Sequence, residues 1–462
     1  MLNTRLPDDA SAHLPLRVKF AYAVGDLGFS LTSTIVAVYF GIFLIDVVGL
    51  PPSMAALVVL IGRVWDWVND PLIGYISDRT RSRWGRRRPF LLLGFVPFGI
   101  LFAMLWWTPP WTALAGRVAY YAVIYLLYEA AATFVYMPYF ALTPELTPDY
   151  DERTTLTSYR MFFSILGSLL SYTIPLLIIV SFRPENSDRV WLMGGLFAFL
   201  SALPLLFTFL GTRERPEHQR QPQPALLPSL KAALENRPFV FAALIYLLTW
   251  TAIDILNALL LFFLKYHLQV EAQSDLIMGT IFVVALLALP IWERAARRWN
   301  KRWAYIAGVG FFAGAQIVVV TLGPATPLPA ILLLAGLAGV GVGAAHVIPW
   351  SIIPDVVEWD ELQTGERHEG MFYSLITLMN KVAGSLAIPL VLAMLGWTGY
   401  IANAPQQPAS AVLGIRLMVG PLPAVLLCGG VLFAWLYPLS RERHQAVRAE
   451  LQRRRQLAAN IR

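Results

Sequence analysis

Apolar stretches long enough to cross a bilayer recur along nearly the whole chain, and no other feature narrows its fold so far. Twelve are legible, at roughly 20–46, 52–76, 90–108, 117–142, 160–181, 190–211, 238–264, 274–292, 303–323, 328–350, 371–396 and 412–438. Crossing about 30 Å of hydrocarbon takes about 20 residues of helix. With no water inside the bilayer, each run must satisfy its backbone internally, which a helix does. Charge is scarce to match. Only 14% of residues are charged, where soluble domains carry roughly 25%. The expectation is an all-α polytopic membrane protein with 12 transmembrane helices. The single cysteine, Cys428, lies in an apolar run, which leaves no disulfide framework and no cysteine metal site. The polar opening, "MLNTRLPDDASAHLPLRVKF", lacks the short apolar core of a signal peptide.

The net charge of +7 is a matter of topology. Taken alternately, the short loops fall into two sets. One holds only Arg117, Arg183, Arg189 and Lys265 as basic residues. The other contains "SDRTRSRWGRRRP", "ERAARRWNKR", the 212–237 connection and the tail "RERHQAVRAELQRRRQLAANIR". The positive-inside rule places the second set, with both termini, in the cytoplasm of a multi-pass cell-membrane protein. No nucleic-acid partner is expected. The central connection is rich in Pro, Gln and charge, and its "LLPSLKAALENR" part suits a short interfacial helix.

Two segments of the chain repeat. "DRTRSRWGRR" (78–87) aligns without gaps on "ERAARRWNKR" (293–302), an offset of 215. Pro144, Glu145, Met161 and Phe162 match Pro354, Asp355, Met371 and Phe372 at an offset of 210. The repeats fall at equivalent loops of two six-span halves in parallel order. The division is 1–211 for the first bundle, 212–237 for the connection, 238–440 for the second bundle and 441–462 for a basic tail. Pseudo-symmetric parallel halves are the plan of the major facilitator fold, with substrate bound near the midplane.

One apolar run carries charges it ought not to have. "GRVWDWVNDPLIGY" (62–75) places Arg63, Asp66, Asn69 and Asp70 inside a span. Asp66, Asn69 and Asp70 are spaced i, i+3, i+4 and share a helical face. Asp66 lies about 15 Å from the cytoplasmic end, near the midplane, where an acid costs about 2.5–3.5 kcal/mol on insertion scales. Two carboxylates and an amide oxygen suit a hard cation such as Na⁺, with Asp66 and Asp70 as its charged ligands. A hydroxyl from a facing helix would complete the set, and Arg63 can balance the charge when the cation is absent. In "YEAAATFVYMPYFALTPE", Glu129 and Thr133 are again i, i+4: a further midplane acid and a candidate hydroxyl. The corresponding span of the second half, "DLIMGTIFVVALLALPIW", has no acid after its first residue. That half instead offers Lys381, too deep to snorkel easily, His346 among small residues, and the polar pair Asp254 and Asn257. His346 suits a substrate bond or a proton. The basic loops are candidate gates, with Arg79, Arg83, Arg87 and Arg294 set to pair with Asp78, Glu145, Glu293 or Asp355. No G-x-S-x-G, HExxH, Walker loop or cysteine–histidine zinc spacing occurs. The chain is therefore read as a transporter rather than an enzyme, without a cofactor and working as a monomer.

"RVWDWVNDPLIGYISDRTRSRWGRRRPFLLLG" and "IPDVVEWDELQTGERHEGMFYSLITLMNKVAGS" resemble the glycoside–pentoside–hexuronide:cation symporter family of the major facilitator superfamily, whose best-known member is melibiose permease. The resemblance implies a coupling-cation site at Asp66, Asn69, Asp70 and Thr133. It also matches Arg160 and Lys381 to a helix-five arginine and a helix-eleven lysine of that family. The sugar side departs from melibiose permease: Ser30, Tyr136 and His346 replace its two aspartates and its tryptophan, Phe29 replaces a lysine, and Glu129 stands where it has no acid. The same branch includes animal sodium-dependent lysophosphatidylcholine symporters, and Phe29, Tyr136, Met137 and Phe140 make an apolar cleft. The expectation is symport of a sugar or glycoside coupled to Na⁺ or H⁺ by alternating access, with lysophospholipid as the alternative substrate.

Overall fold

The computed structural model describes residues 14–147, 150–214, 233, 235–365, 369–439 and 441–460. The chain divides into two units, Met1–Gln221 and Pro222–Arg462.

In the first unit, α1 (Leu16–Ile42) runs into one π-helical turn, Phe43–Val47. It is followed by α2 (Pro52–Arg79), α3 (Arg88–Leu105), α4 (Leu114–Ala141), the single turn α5 (Thr143–Leu146), α6 (Tyr150–Ile179) and α7 (Ser187–Gly211). Prolines open α2 and α3, where a missing N–H leaves no bond unmade. Pro71, Pro97 and Pro138 lie inside α2, α3 and α4. Each removes one backbone donor and frees a carbonyl one turn earlier. α1 packs on α6 and α7, α2 on α4, and α3 on α4 and α7. Trp106, Tyr121, Tyr125, Phe40, Phe98 and Phe102 fill the centre with no exposed surface to speak of, while Leu93, Val96 and Ile100 of α3 point outward. Lipid tails are as apolar as leucine, so close packing and polar pairs, not expulsion from water, must hold such helices together.

The second unit repeats the plan. It comprises α8 (Arg237–Phe262) with a π-helical turn at Phe263–His267, α9 (Ser274–Trp299), α10 (Lys301–Val319), α11 (Leu328–Thr364), α12 (Glu369–Trp397), α13 (Ala409–Val419), α14 (Pro421–Leu436) and α15 (Arg441–Asn460). Here α8 packs on α12 and α14, α9 on α11, and α10 on α11 and α14. Each pairing is the counterpart of one in the first unit, and both first helices end in a π-helical turn.

Among the described residues, eleven helical segments are long and apolar enough to cross a membrane. The remaining run, 52–76, folds as α2. Its 28 residues span about 42 Å, but Arg63, Asp66, Asn69 and Asp70 lower its mean hydropathy. Several elements differ from the sequence reading. α11 extends to Thr364, 37 residues in all, so it outruns a bilayer's hydrocarbon by nearly half its length. The last run is not one helix but α13 and α14, broken at Gly420–Pro421. The basic tail is helical and lies on the far end of α11. Most of "LLPSLKAALENR" falls outside the described residues.

Candidate functional site

The seam between α2 and α4 is built from paired contacts along its length. A Cβ on Gly62 would lie 2.3 Å from Tyr125 Cδ1, so only glycine lets the two helices approach here. Next along the seam, Arg63 Nε stands 4.0 Å from Glu129 Oε1. Thr133 Oγ1 then donates to Asp70 Oδ1 at 2.9 Å. Asp66 is 5% exposed, Asn69 3% and Thr133 7%. The acid, amide and hydroxyl positions singled out in the sequence thus lie along one seam of two adjoining helices, Asp66, Asn69 and Thr133 buried and Asp70 and Glu129 half-buried. Pro71 directly follows Asp70 inside α2, which leaves the Trp67 carbonyl without its helical donor. Asn69 Nδ2 has no hydrogen-bond partner among the described residues.

A second polar seam joins α1 and α6. Ser30 Oγ and Ser164 Oγ are 2.7 Å apart. Arg160 Nε lies 3.4 Å from Asp26 Oδ2, with its guanidinium 4.8 Å from the centre of the Phe140 ring. Asp26 is only 2% exposed. It was not among the residues singled out above, although an acid in the middle of the apolar run 20–46, whose other acid, Asp46, stands at its end, was the available signal. Tyr136 belongs to an aromatic cluster, its ring 5.0 Å from Phe29 and 5.3 Å from Phe98.

In the second unit, His346 Nδ1 bonds the Val342 carbonyl at 2.9 Å, and the ring stacks edge-on to Trp250 at 5.0 Å. The Trp250 neighbour, Tyr246, meets Trp350 at 4.9 Å. Lys381 lies half-buried on α12. One turn away, Asp254 Oδ2 of α8 comes within 3.1 Å of where a Gly384 Cβ would sit. That seam therefore brings Asp254 to the neighbourhood of Lys381.

The basic loops pair only in part as expected. Arg87 forms an ion pair with Asp78 and bonds Glu145 at 3.1 Å, and Arg86 also reaches Glu145. Arg79 and Arg83 do not join these acids. Their guanidinium groups lie over the Tyr75 and Trp84 rings at 4.0 and 4.5 Å. Asp355 is met by Lys301 at 2.6 Å, not by Arg294, which bonds the Pro290 carbonyl of its own helix. Glu293 pairs with Arg297 on the surface of α9 and so links no two helices. The reason is geometric: Glu293, Arg294 and Arg297 all continue α9, and an i, i+4 partner is nearer than another helix. Sequence reading also missed Glu214. Its carboxylate accepts backbone N–H bonds from Arg86, Arg87 and Arg88 at 2.5, 2.8 and 2.8 Å and caps α3. Burial pushes the Glu214 carboxyl up from its ordinary range, partly offset by those three bonds. Gly85, at φ 108°, makes the turn, and a Cβ there would meet that carboxylate at 2.5 Å. In the second unit His444 lies 2.6 Å from Glu358 and 3.4 Å from Asp355, and Arg448 lies 2.9 Å from Glu358. These contacts seat α15 on α11.

Membrane-length helices in two units of matching pairing, one of them carrying buried acids between helices, define a polytopic transporter of the major facilitator fold. The chain belongs to the MFS/sugar transport protein family, whose model matches residues 21–441. It is 34% identical to an uncharacterized symporter (sll1374) of Synechocystis sp., over 96% of this chain and 98% of that one. It is 28% identical to sodium-dependent lysophosphatidylcholine symporter 1-A of Danio rerio, over 94% and 88%. Among solved structures, a D-xylose-proton symporter superposes with a TM-score of 0.68 at 17% identity, over 92% and 97%. That likeness concerns the fold alone.

Proposed function

We propose that this chain is a Na⁺-coupled symporter of a lysophospholipid-like amphiphile, working by alternating access in the cell membrane with both termini cytoplasmic. The observation that carries the coupling is the bond from Thr133 to Asp70, beside buried Asp66 and Asn69. A hydroxyl has one donor and two acceptor lone pairs, so Thr133 can hold Asp70 and still turn an oxygen to a cation. Asp66, Asp70 and the Asn69 oxygen supply the remaining ligands. Na⁺ neutralises two acids that otherwise repel each other inside a low-dielectric helix pair. Ion binding on that seam favours substrate binding, and the coupling is reciprocal. The Na⁺-dependent lysolipid relative supports both the ion and the substrate class. The family description supports a second reading, a sugar or glycoside as substrate, and nearer kinship to melibiose permease belongs with it. Arg63, Glu129, Arg160, Lys381, Ser30, Tyr136 and His346 are the proposed substrate and coupling residues. The network of Asp78, Arg87 and Glu145, and Asp355 with Lys301, are the proposed gates. The deciding measurement is uptake into proteoliposomes of lysophosphatidylcholine and of labelled glycosides, with and without an inward Na⁺ gradient. Asp66→Asn and Asp70→Asn should each abolish the Na⁺-stimulated part. Normal uptake in both variants would refute the site.

A further inference from the structure

The repeated loop makes the same turn in both units. Gly85 has φ 108°, and Asn300, its counterpart in the alignment of 78–87 on 293–302, has φ 118°. Asparagine is enriched among the non-glycine residues that take positive φ. In each unit the next residue is a cation that meets an acid of another element. Arg86 reaches Glu145 at 2.5 Å, and Lys301 reaches Asp355 at 2.6 Å. Glu145 and Asp355 are equivalent in their turn, at the offset of 210.

What differs between the two turns is the cap. A helix starts with N–H groups that have no partner inside it. At the start of α10, Asn300 accepts the Arg302 N–H with its own side chain, at 3.2 Å, as asparagine at a helix start commonly does. The start of α3 has no such residue. Gly85 carries no side chain, and Arg87, at the cap position, has only donors. The acceptor comes instead from Glu214, three residues past the end of α7, which takes the N–H groups of Arg86, Arg87 and Arg88. Arg88 ties the turn to α7 from the other side, donating to the Phe209 carbonyl at 2.6 Å. The exchange is steric as well as polar. A Cβ on Gly85 would lie 2.5 Å from the Glu214 carboxyl carbon, so a side chain at 85 and a carboxylate at 214 exclude each other.

We propose that Glu214 is a positioning residue of the first unit's gate: by capping the turn from outside, it aims Arg86 and Arg87 at Glu145 and Asp78. The second unit's turn is complete in itself, whereas the first unit's is complete only while the start of the 212–237 connection is docked on it. The inference rests on the gate reading above and adds the element that controls one gate. The test uses the full chain in nanodiscs and in proteoliposomes. Glu214→Ala should speed amide exchange of the turn around Gly85, read by hydrogen–deuterium exchange mass spectrometry, and leave the turn around Asn300 unchanged. It should lower kcat for Na⁺-driven lysophosphatidylcholine uptake about tenfold, the effect of losing one hydrogen bond to a charged group, with KM and half-saturating Na⁺ unchanged. Gly85→Asn alone should do the same, because its Cβ displaces Glu214. Gly85→Asn combined with Glu214→Ala builds the second unit's self-capped turn into the first and should bring both readouts back to within about threefold of the parent. Glu214→Gln keeps one acceptor oxygen and gives the same direction, more weakly, if Glu214→Ala does not fold. The thermal midpoint reads the positioning without any substrate: Glu145→Gln should lower it much less in Glu214→Ala than in the parent, since the two arginines are no longer aimed at position 145. Additive midpoints, or a double variant no better than the worse single one, would overturn the role of Glu214 alone. A normal kcat in Glu145→Gln would overturn the gate reading, and with it the control assigned to Glu214.

Discussion

Thr133 donates to Asp70 across the α2–α4 seam at 2.9 Å, so that acid is held by a group that can also face an ion. Thr133→Ala removes both the donor and the ligand oxygen. Hydrogen bonds to charged groups contribute about 1.5–3 kcal/mol, so half-saturating Na⁺ should rise by roughly ten- to a hundredfold. Thr133→Ser keeps the hydroxyl and should stay within a few-fold of the parent. Na⁺ titration of thermal stability in the two variants reads both values. Equal loss in the two would mean that the methyl group matters and the hydroxyl does not.

Arg63 and Glu129 form the next rung, at 4.0 Å. Arg63 sits one turn before Asp66, so a guanidinium released from Glu129 has those acids as its nearest alternative. Glu129→Gln should therefore weaken Na⁺ binding by competition from Arg63, by roughly 1 kcal/mol or fivefold. Adding Arg63→Gln should recover much of the loss, because the competitor is gone. Isothermal titration with Na⁺ on the three variants makes a double-mutant cycle, and additive effects would show that the rung is independent of the ion site.

The network of Arg86, Arg87, Asp78 and Glu145 is buried enough to matter for stability. Arg87 is 5% exposed and so is Glu145. Removing one partner of a buried pair leaves the other uncompensated and costs about 3–5 kcal/mol. Glu145→Gln should lower the thermal midpoint clearly, whereas Arg83→Gln, which loses only a stacking contact with Trp84, should not. The melting curves of the two purified variants decide it.

What could be read from the sequence followed from how far each signal reached along the chain. The apolar runs and the shared face of Asp66, Asn69 and Asp70 depend on local patterning, and each run is helical in the structure, the last of them broken at Gly420–Pro421. Asp26 escaped because a single acid has no periodicity to reveal it. Its partner, Arg160, is more than a hundred residues away. Asp355 was one of four acids left open as partners of the loop arginines, and Lys301, which it meets, was not among them: the repeat aligned Arg79 with Arg294, but an alignment fixes position in a loop and not the direction of a side chain. The docking of α15 through His444 and Arg448 onto Glu358 needed the length of α11, which extends well past its apolar run. That extension interleaves buried Ile352, Ile353, Val356 and Val357 with acids, and hydropathy alone ends the helix too soon.

Gly62 is where the site depends most on shape. The Tyr125 ring, fully buried, occupies the space a Cβ at position 62 would need, at 2.3 and 2.5 Å from two ring carbons. Neither helix can yield without shifting Arg63 against Glu129 and Asp70 against Thr133, because all three contacts lie on one seam. Gly62→Ala should therefore cost about 1–3 kcal/mol through overpacking and weaken Na⁺ binding at the same time, although it touches no ligand. Tyr125→Leu removes ring atoms on the opposite side, so the double variant should regain stability and Na⁺ affinity relative to Gly62→Ala alone. Thermal melts with a Na⁺ series measure both quantities in one experiment. Recovery of stability without recovery of affinity would separate the packing of the seam from the geometry of the acids.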